Sequence, residues 1–300
     1  MLNYGFVITK PLQFIVVLAV IKQVEEDINI HLLIVDNFSG SRDLAEKLKI
    51  SLVANWSINF FTDEKEVFNF CEKAGYNKLF IDSDVGFRKN LTLTKFAFCS
   101  PKTMLAVYEE GVGSYRSNLY FGLKKKLLPL TGAAIYFGGS WLVKELYLFN
   151  PDRCRNKLQS KIVRINSSVQ EILNDERDWL ENLFPSEIFF DEIIEKSECS
   201  SDHCIIYLTN WSIDLEQIRS MSEDMGVLIV KPHPHIKEVD TTGWPEKINV
   251  APAYVPAEII INKAANMFKT VIVKHHASSV EIYLKTKKNK KPLLVAADIY

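Results

Sequence analysis

The sequence predicts an α/β protein made of two Rossmann-like domains, each built on a parallel sheet. Short runs of Val, Ile, Leu and Phe recur along the chain and alternate with helical segments, which is the pattern of strands buried on both faces by crossover helices. The alternation lapses over residues 123–200 and then resumes. At 300 residues the chain is also about twice the length of a common single domain. These observations divide it into an N-terminal domain, 1–195, and a C-terminal domain, 196–300. In such folds function sits at the carboxyl ends of the strands, and two facing sheet edges make a cleft.

Taken in order, "YGFVIT" (4–9) predicts a buried strand. Lys10-Pro11 breaks it, and "LQFIVVLAVIKQVEE" (12–26) predicts a largely buried helix with proline at its first turn. "INIHLLIVD" is the second strand, "SRDLAEKLK" and "EKEVFNFCEKAG" are helices, "NKLFID" the third strand and "TMLAVYEEG" the fourth. Beyond the glycine-rich "LLPLTGAAIYFGGSW", the stretch "INSSVQEILNDERDWLENLF" predicts one helix. The C-terminal domain reads "CIIYLT" strand, "IDLEQIRSMSEDMG" helix, "VLIVKPHPH" strand and turn, "PAEIIINKAANMF" helix, "KTVIVKHH" strand, "SSVEIYLK" helix, "PLLVAA" strand.

A net charge of −1 gives no global attraction to nucleic acid, which is not expected as a partner. Five scattered cysteines argue against a disulfide framework and for a reducing compartment. The apolar run near the N-terminus follows polar residues, lacks a small-x-small cleavage site and is too short to span a bilayer. A cytoplasmic location is therefore expected. Lys285, Lys287, Lys288, Lys290 and Lys291 form one local basic cluster, read first as a solvated loop and second as a peripheral contact with the inner face of the membrane.

Chemistry-bearing residues gather at predicted strand ends. Glu109 and Glu110 follow "MLAVY" and precede Gly111, so they are either a solvated turn or a base at the mouth of the sheet. His233 ends "VLIVK" between Pro232 and Pro234, whose rings preorganise the imidazole to assist a leaving phosphate near neutral pH. Ser278 and Ser279 sit where a strand gives way to a helix, as an ordinary N-cap or as an anion site. Glu258, just inside a helix, either complements its dipole or accepts ribose hydroxyls. Thr209 and Asn210 offer polar contacts at another strand end.

Two metal readings compete. Asp82 and Asp84 have the D-x-D spacing that holds a divalent cation against a diphosphate, although Asp is also frequent in turns after strands. His233, His235, His275 and His276 fall at two strand ends of one domain, the raw material of a zinc hydrolase site.

The ordered trio "EEG", "HP" and "SS" resembles the three short motifs of bacterial sialyltransferases, specifically the capsule and lipooligosaccharide sialyltransferases and the polysialyltransferase-like group. The resemblance spans both domains by order and spacing. It implies a GT-B fold, two facing Rossmann-like domains, and transfer of sialic acid from CMP-sialic acid without a metal. It implies a general base at Glu109 or Glu110, His233 assisting departure of CMP with Pro234 beside it, and Ser278 and Ser279 holding the phosphate. By looser analogy Glu258 takes the ribose. Glu110 is the favoured base, because alternate residues of an extended segment point to opposite sides. Thr9, Lys10 and Gln13, at the end of the first strand, become acceptor-side candidates whose plainer reading is a helix start. The chain is shorter than the family and unusually glycine-rich after the glutamates.

Three functions are consistent with these residues. The first is an inverting, metal-independent transferase of sialic acid, or a related nonulosonic acid, to a terminal sugar of a bacterial surface glycan. The second is a metal-dependent transferase using Asp82, Asp84 and a nucleotide-diphosphate sugar. The third is a non-catalytic nucleotide- or glycan-binding subunit of capsule assembly.

Overall fold

The computed structural model describes the chain except residues 25–26, 52–53, 118, 155, 157, 159, 197–201, 224–225, 237, 246–247, 277, 279, 284–292 and 299–300. It falls into two compact units, one of residues 1–37 and 41–172, the other of 38–40 and 173–300. The division comes at Ile172/Leu173, earlier than the boundary at 195 expected from sequence, so the helices that follow count with the second unit.

The first unit runs β1 (Leu2–Ile8), α1 (Pro11–Lys22), β2 (Ile28–Val35), α2 (Ser41–Ile50), β3 (Trp56–Phe61), α3 (Glu64–Ala74), β4 (Lys78–Ile81), α4 (Phe87–Cys99), β5 (Met104–Tyr108), α5 (Gly122–Leu127), β6 (Val143–Leu148) and β7 (Lys161–Arg164). Its strands form one wholly parallel sheet in the order β3-β2-β1-β4-β5-β6-β7. The order reverses between β1 and β4, which makes the crevice beyond their carboxyl ends the natural ligand position. Helix α1 buries every residue from Gln13 to Val20, so the apolar N-terminal run is core. Its first turn is held by the Gln13 side chain, whose Oε1 accepts the backbone N–H groups of Thr9 (2.6 Å) and Lys10 (3.1 Å). This satisfies donors that a helix start otherwise leaves open.

The second unit takes in the end of α6 (Val169–Asp175), then α7 (Arg177–Leu183), α8 (Glu187–Lys196), β8 (His203–Leu208), α9 (Leu215–Ser222), β9 (Val227–Lys231), β10 (Ile248–Val250), α10 (Ala257–Met267), β11 (Thr270–His275), α11 (Val280–Tyr283) and β12 (Leu293–Asp298). The sheet is again parallel, ordered β10-β9-β8-β11-β12, and reverses between β8 and β11. The single helix expected over 165–184 is two, broken at Glu176. Strands β3, β6, β7 and β10 are additions to the sequence reading. Among the described residues no helix is long and apolar enough to cross a membrane.

Candidate functional site

In the first unit, the carboxyl ends of β1, β4 and β5 deliver Lys10, Asp82 and the Glu109–Glu110 pair to one edge of the sheet. The two glutamates part ways. Glu109 is fully buried, and its Oε2 accepts from the Tyr115 hydroxyl and from the Phe149 backbone N–H at 2.8 Å. Burial and the facing Glu109 carboxylate push the Tyr115 phenol far up. Glu110 remains partly open and pairs with the Lys10 ammonium. Its backbone N–H donates to Ser114 Oγ at 2.9 Å, which shapes the turn beneath it. Gly111 makes that turn with φ +126° and ψ −150°, a conformation open to glycine and few others.

Lys10 is lowered from its ordinary value by burial, against which the Asp82 charge pulls upward. Asp82 is buried, accepts from the Thr9 hydroxyl at 2.7 Å, and faces Lys89 Nζ at 3.3 Å. Burial alone would raise its carboxyl, but the Lys89 cation, Thr9 and Lys10 outweigh this and hold it below the usual range. Lys89 also bonds Glu64 at 2.5 Å and is raised, the two carboxylates overcoming its own desolvation. A cleft of about 620 Å³, lined by Glu64, Asp82, Ser83, Gly86, Lys89 and Tyr120 among others, opens beside this chain of charges.

Of the three acceptor-side candidates only Lys10 reaches solvent. Thr9 and Gln13 are buried and spent on Asp82 and on the start of α1. The D-x-D metal reading is corrected by the same kind of accounting. Asp84 is fully buried, and its two oxygens accept the backbone N–H groups of Gly138 (2.9 Å) and Ser140 (2.8 Å). Desolvation raises its carboxyl to about 6. Asp84 therefore anchors the 138–140 loop with both of its oxygens.

In the second unit, β8 ends at Leu208, directly before Thr209, β9 at Lys231 and β11 at His275. Thr209 is buried, and its Oγ1 accepts the His233 backbone N–H at 3.0 Å, fixing the turn against the neighbouring strand. Asn210 is exposed and its Oδ1 accepts the Trp211 N–H. Pro234 is half-buried, and its carbonyl accepts from the Ser39 N–H at 3.2 Å. The indole of Trp211 lies against both imidazoles, 4.6 Å from His233 and 4.9 Å from His235 between ring centres, and the imidazoles are 5.1 Å apart. Trp211 is itself 69% exposed.

Beneath the turn, Lys231 is buried and donates to the carbonyls of Pro232 (2.8 Å) and Ala253 (3.1 Å). It ties the histidine turn to the loop that leads into α10. Glu258, in the first turn of α10, is likewise buried. Desolvation raises its carboxyl to about 7 and lowers the Lys231 ammonium to about 7, each opposed by the charge of the other. This placement corrects the expectation of an open ribose contact at Glu258, whose carboxyl lies under the surface with Lys231. Sequence reasoning passed over Lys231, although a lysine closing an apolar strand directly before "PHPH" is a signal. It also passed over Trp211.

The zinc reading fails on geometry. Among the described residues no three His, Cys, Asp or Glu side chains converge on one point. His275 is buried and its Nδ1 accepts the Ser278 N–H at 3.1 Å, while His276 meets the Tyr207 hydroxyl at 3.2 Å. Ser278 Oγ accepts the Val280 N–H at 3.4 Å and so caps the short α11. Ser279 and the lysines 285, 287, 288, 290 and 291 lie outside the described residues.

Solved structures that this chain resembles include two bound to uridine nucleotides. The UDP-GlcNAc 2-epimerase of Neisseria meningitidis bound to UDP-GlcNAc superposes with a TM-score of 0.55 at 11% identity, covering 93% of this chain and 78% of the other. The S. aureus MnaA–UDP complex superposes with a TM-score of 0.53 at 12% identity, covering 93% and 76%. The fold is GT-B-like. No family model matches the chain, and no curated protein resembles it in sequence. At these identities the likeness concerns the two Rossmann-type units and not the chemistry.

Proposed function

We propose that this chain is a nucleotide-sugar enzyme, and within that class an inverting transferase that moves sialic acid, or a related nonulosonic acid, from its CMP conjugate to a terminal sugar of a bacterial surface glycan. The observation that carries the reading is the partly exposed Glu110 carboxylate at the carboxyl end of β5, beside a buried Glu109 whose Oε2 is taken by Tyr115 and Phe149. In the proposed step the acceptor hydroxyl attacks the anomeric carbon while Glu110 takes its proton. The bond from the anomeric carbon to the CMP phosphate oxygen breaks on the opposite face, and the electron pair leaves with CMP. His233, held by Thr209 and covered by Trp211, stabilises or protonates that phosphate. Ser278 and Ser279 are the proposed phosphate contacts, with Asn210 at the adjoining strand end. No step requires a metal, since the departing group carries one phosphate and a histidine serves it. The acceptor, the peripheral membrane contact and the cytoplasmic location belong to the same proposal.

A second reading is favoured by the bound molecules named for the two structural matches, UDP-GlcNAc and UDP. It makes this chain an enzyme of a UDP-sugar. One experiment separates the readings. The purified chain is incubated with CMP-sialate or UDP-GlcNAc, with and without lactose, with and without EDTA, and free nucleotide and sugar isomers are followed. CMP release that depends on lactose and survives EDTA supports sialyl transfer. Isomerisation of UDP-GlcNAc, or uridine nucleotide release, replaces it with the second reading. Nucleotide binding without turnover of any donor moves the chain to the non-catalytic class.

A further inference from the structure

The first unit carries a projection that the transfer reading does not use. Residues 121–132 are all exposed except the half-buried Leu128. Within them Phe121 is 72% exposed, Leu123 70%, Leu127 49% and Leu130 80%, alongside Lys124, Lys125 and Lys126. Large apolar side chains occur singly on most surfaces, but four in one short stretch, interleaved with three lysines, form a patch. Asn90 donates to the Thr131 carbonyl at 3.4 Å, and the Gly86 N–H to that of Ala134 at 2.9 Å, so the projection adjoins the start of α4. There Phe87 and Leu91, one helical turn apart, are also exposed, with Arg88 between them.

Charge selects the partner. From residue 111 to residue 144, the stretch that contains the projection, the sequence holds five lysines and arginines and no acidic residue, in a chain whose net charge is −1. The face is therefore cationic as well as apolar. Nucleic acid would use the lysines and leave the phenylalanine and leucines in water. A second copy would set lysines against lysines. An anionic bilayer uses both sets, taking apolar side chains into the interface while its headgroups meet the cations.

We propose that residues 121–132, with the first turn of α4, are a docking surface for an anionic lipid bilayer. Phe121, Leu123, Leu127 and Leu130 enter the headgroup–acyl boundary, and Lys124, Lys125, Lys126 and Arg88 engage the phosphates. The proposal rests neither on the C-terminal lysine cluster nor on the transferase reading.

The full chain is tested by flotation with phosphatidylcholine vesicles, with or without phosphatidylglycerol. Binding is expected only to the anionic vesicles and is expected to weaken with salt. Partition should fall about tenfold or more in K124E/K125E/K126E and in F121S/L123S/L127S/L130S, with circular dichroism unchanged. Reversal of Lys285, Lys287, Lys288, Lys290 and Lys291 to Glu should leave it within about twofold. No binding to anionic vesicles overturns the proposal. So does binding that survives both projection variants, binding lost only with the C-terminal cluster, or a wild-type dimer that the apolar variant dissolves without any vesicle contact. CMP release to soluble lactose should be the same in the projection variants, so its absence in all forms counts against the transferase reading alone.

Discussion

Lys10 and Glu110, 100 residues apart in the sequence, form an ion pair at the carboxyl ends of β1 and β5, on either side of the strand that delivers Asp82. The pair sets an ammonium directly beside the proposed base. Burial disfavours the Lys10 ammonium and the Asp82 charge opposes this, so a hydroxyl that takes its place at the carboxylate leaves the ammonium dependent on Asp82.

The two glutamates should separate cleanly by substitution. Glu110→Gln is expected to lower CMP release on the order of 10²–10⁴-fold with an unchanged melting temperature, because its carboxylate contributes chemistry and one partly exposed ion pair. Glu109→Leu should cost roughly 1–3 kcal/mol in urea denaturation, since it leaves the Tyr115 hydroxyl and the Phe149 N–H without their acceptor. Equal loss of stability in both variants would undo the distinction.

Asp84→Asn should behave as a packing defect. One of the two amide contacts to the 138–140 loop is replaced by an opposed N–H group, at a cost of about 1–3 kcal/mol. CMP release by the wild type should be insensitive to EDTA. Loss on chelation, restored by magnesium or manganese, would return Asp82 and Asp84 to a ligand role.

The Lys231–Glu258 pair predicts a dip in stability near neutral pH. Glu258 is raised from its ordinary 4.5 to about 7, so between those values the folded chain holds the extra proton and stability falls as pH rises. Lys231 is lowered from 10.5 to about 7, so above that the unfolded chain holds the extra proton and stability rises with pH. Urea midpoints measured at about pH 5, 7 and 9 should show the minimum at the middle value. The double variant K231M/E258Q should flatten it, whereas K231M alone should abolish only the rise above about pH 7 and keep the fall between about pH 5 and 7.

Trp211→Ala should weaken the histidine turn. Each ring contact contributes about 0.5–1.5 kcal/mol, and both His233 and His235 lose theirs. In CMP titrations by calorimetry the affinity should drop about tenfold or more, and Trp211→Phe should restore most of it. Unchanged binding in the alanine variant would limit Trp211 to surface packing.

The alternation of apolar strands and helices by itself determined the two parallel sheets, since strands covered on both faces must be written in continuous Val, Ile, Leu and Phe. It missed β3 and β7, which are the two edges of their sheet, and "WSINFF" and "KIVR" carry polar residues because an edge strand is half-solvated. The strand ends were legible too, and with them Glu109, Glu110 and His233, because Gly111 and two prolines mark turns locally. What the tertiary structure decided was the fate of each side chain. Strand order, set by crossovers that no local pattern records, brought Lys10 to Glu110, Phe149 to Glu109 and the 138–140 loop to Asp84. A carboxylate's sequence states its charge. Its role depends on whether distant backbone N–H groups have already claimed its oxygens.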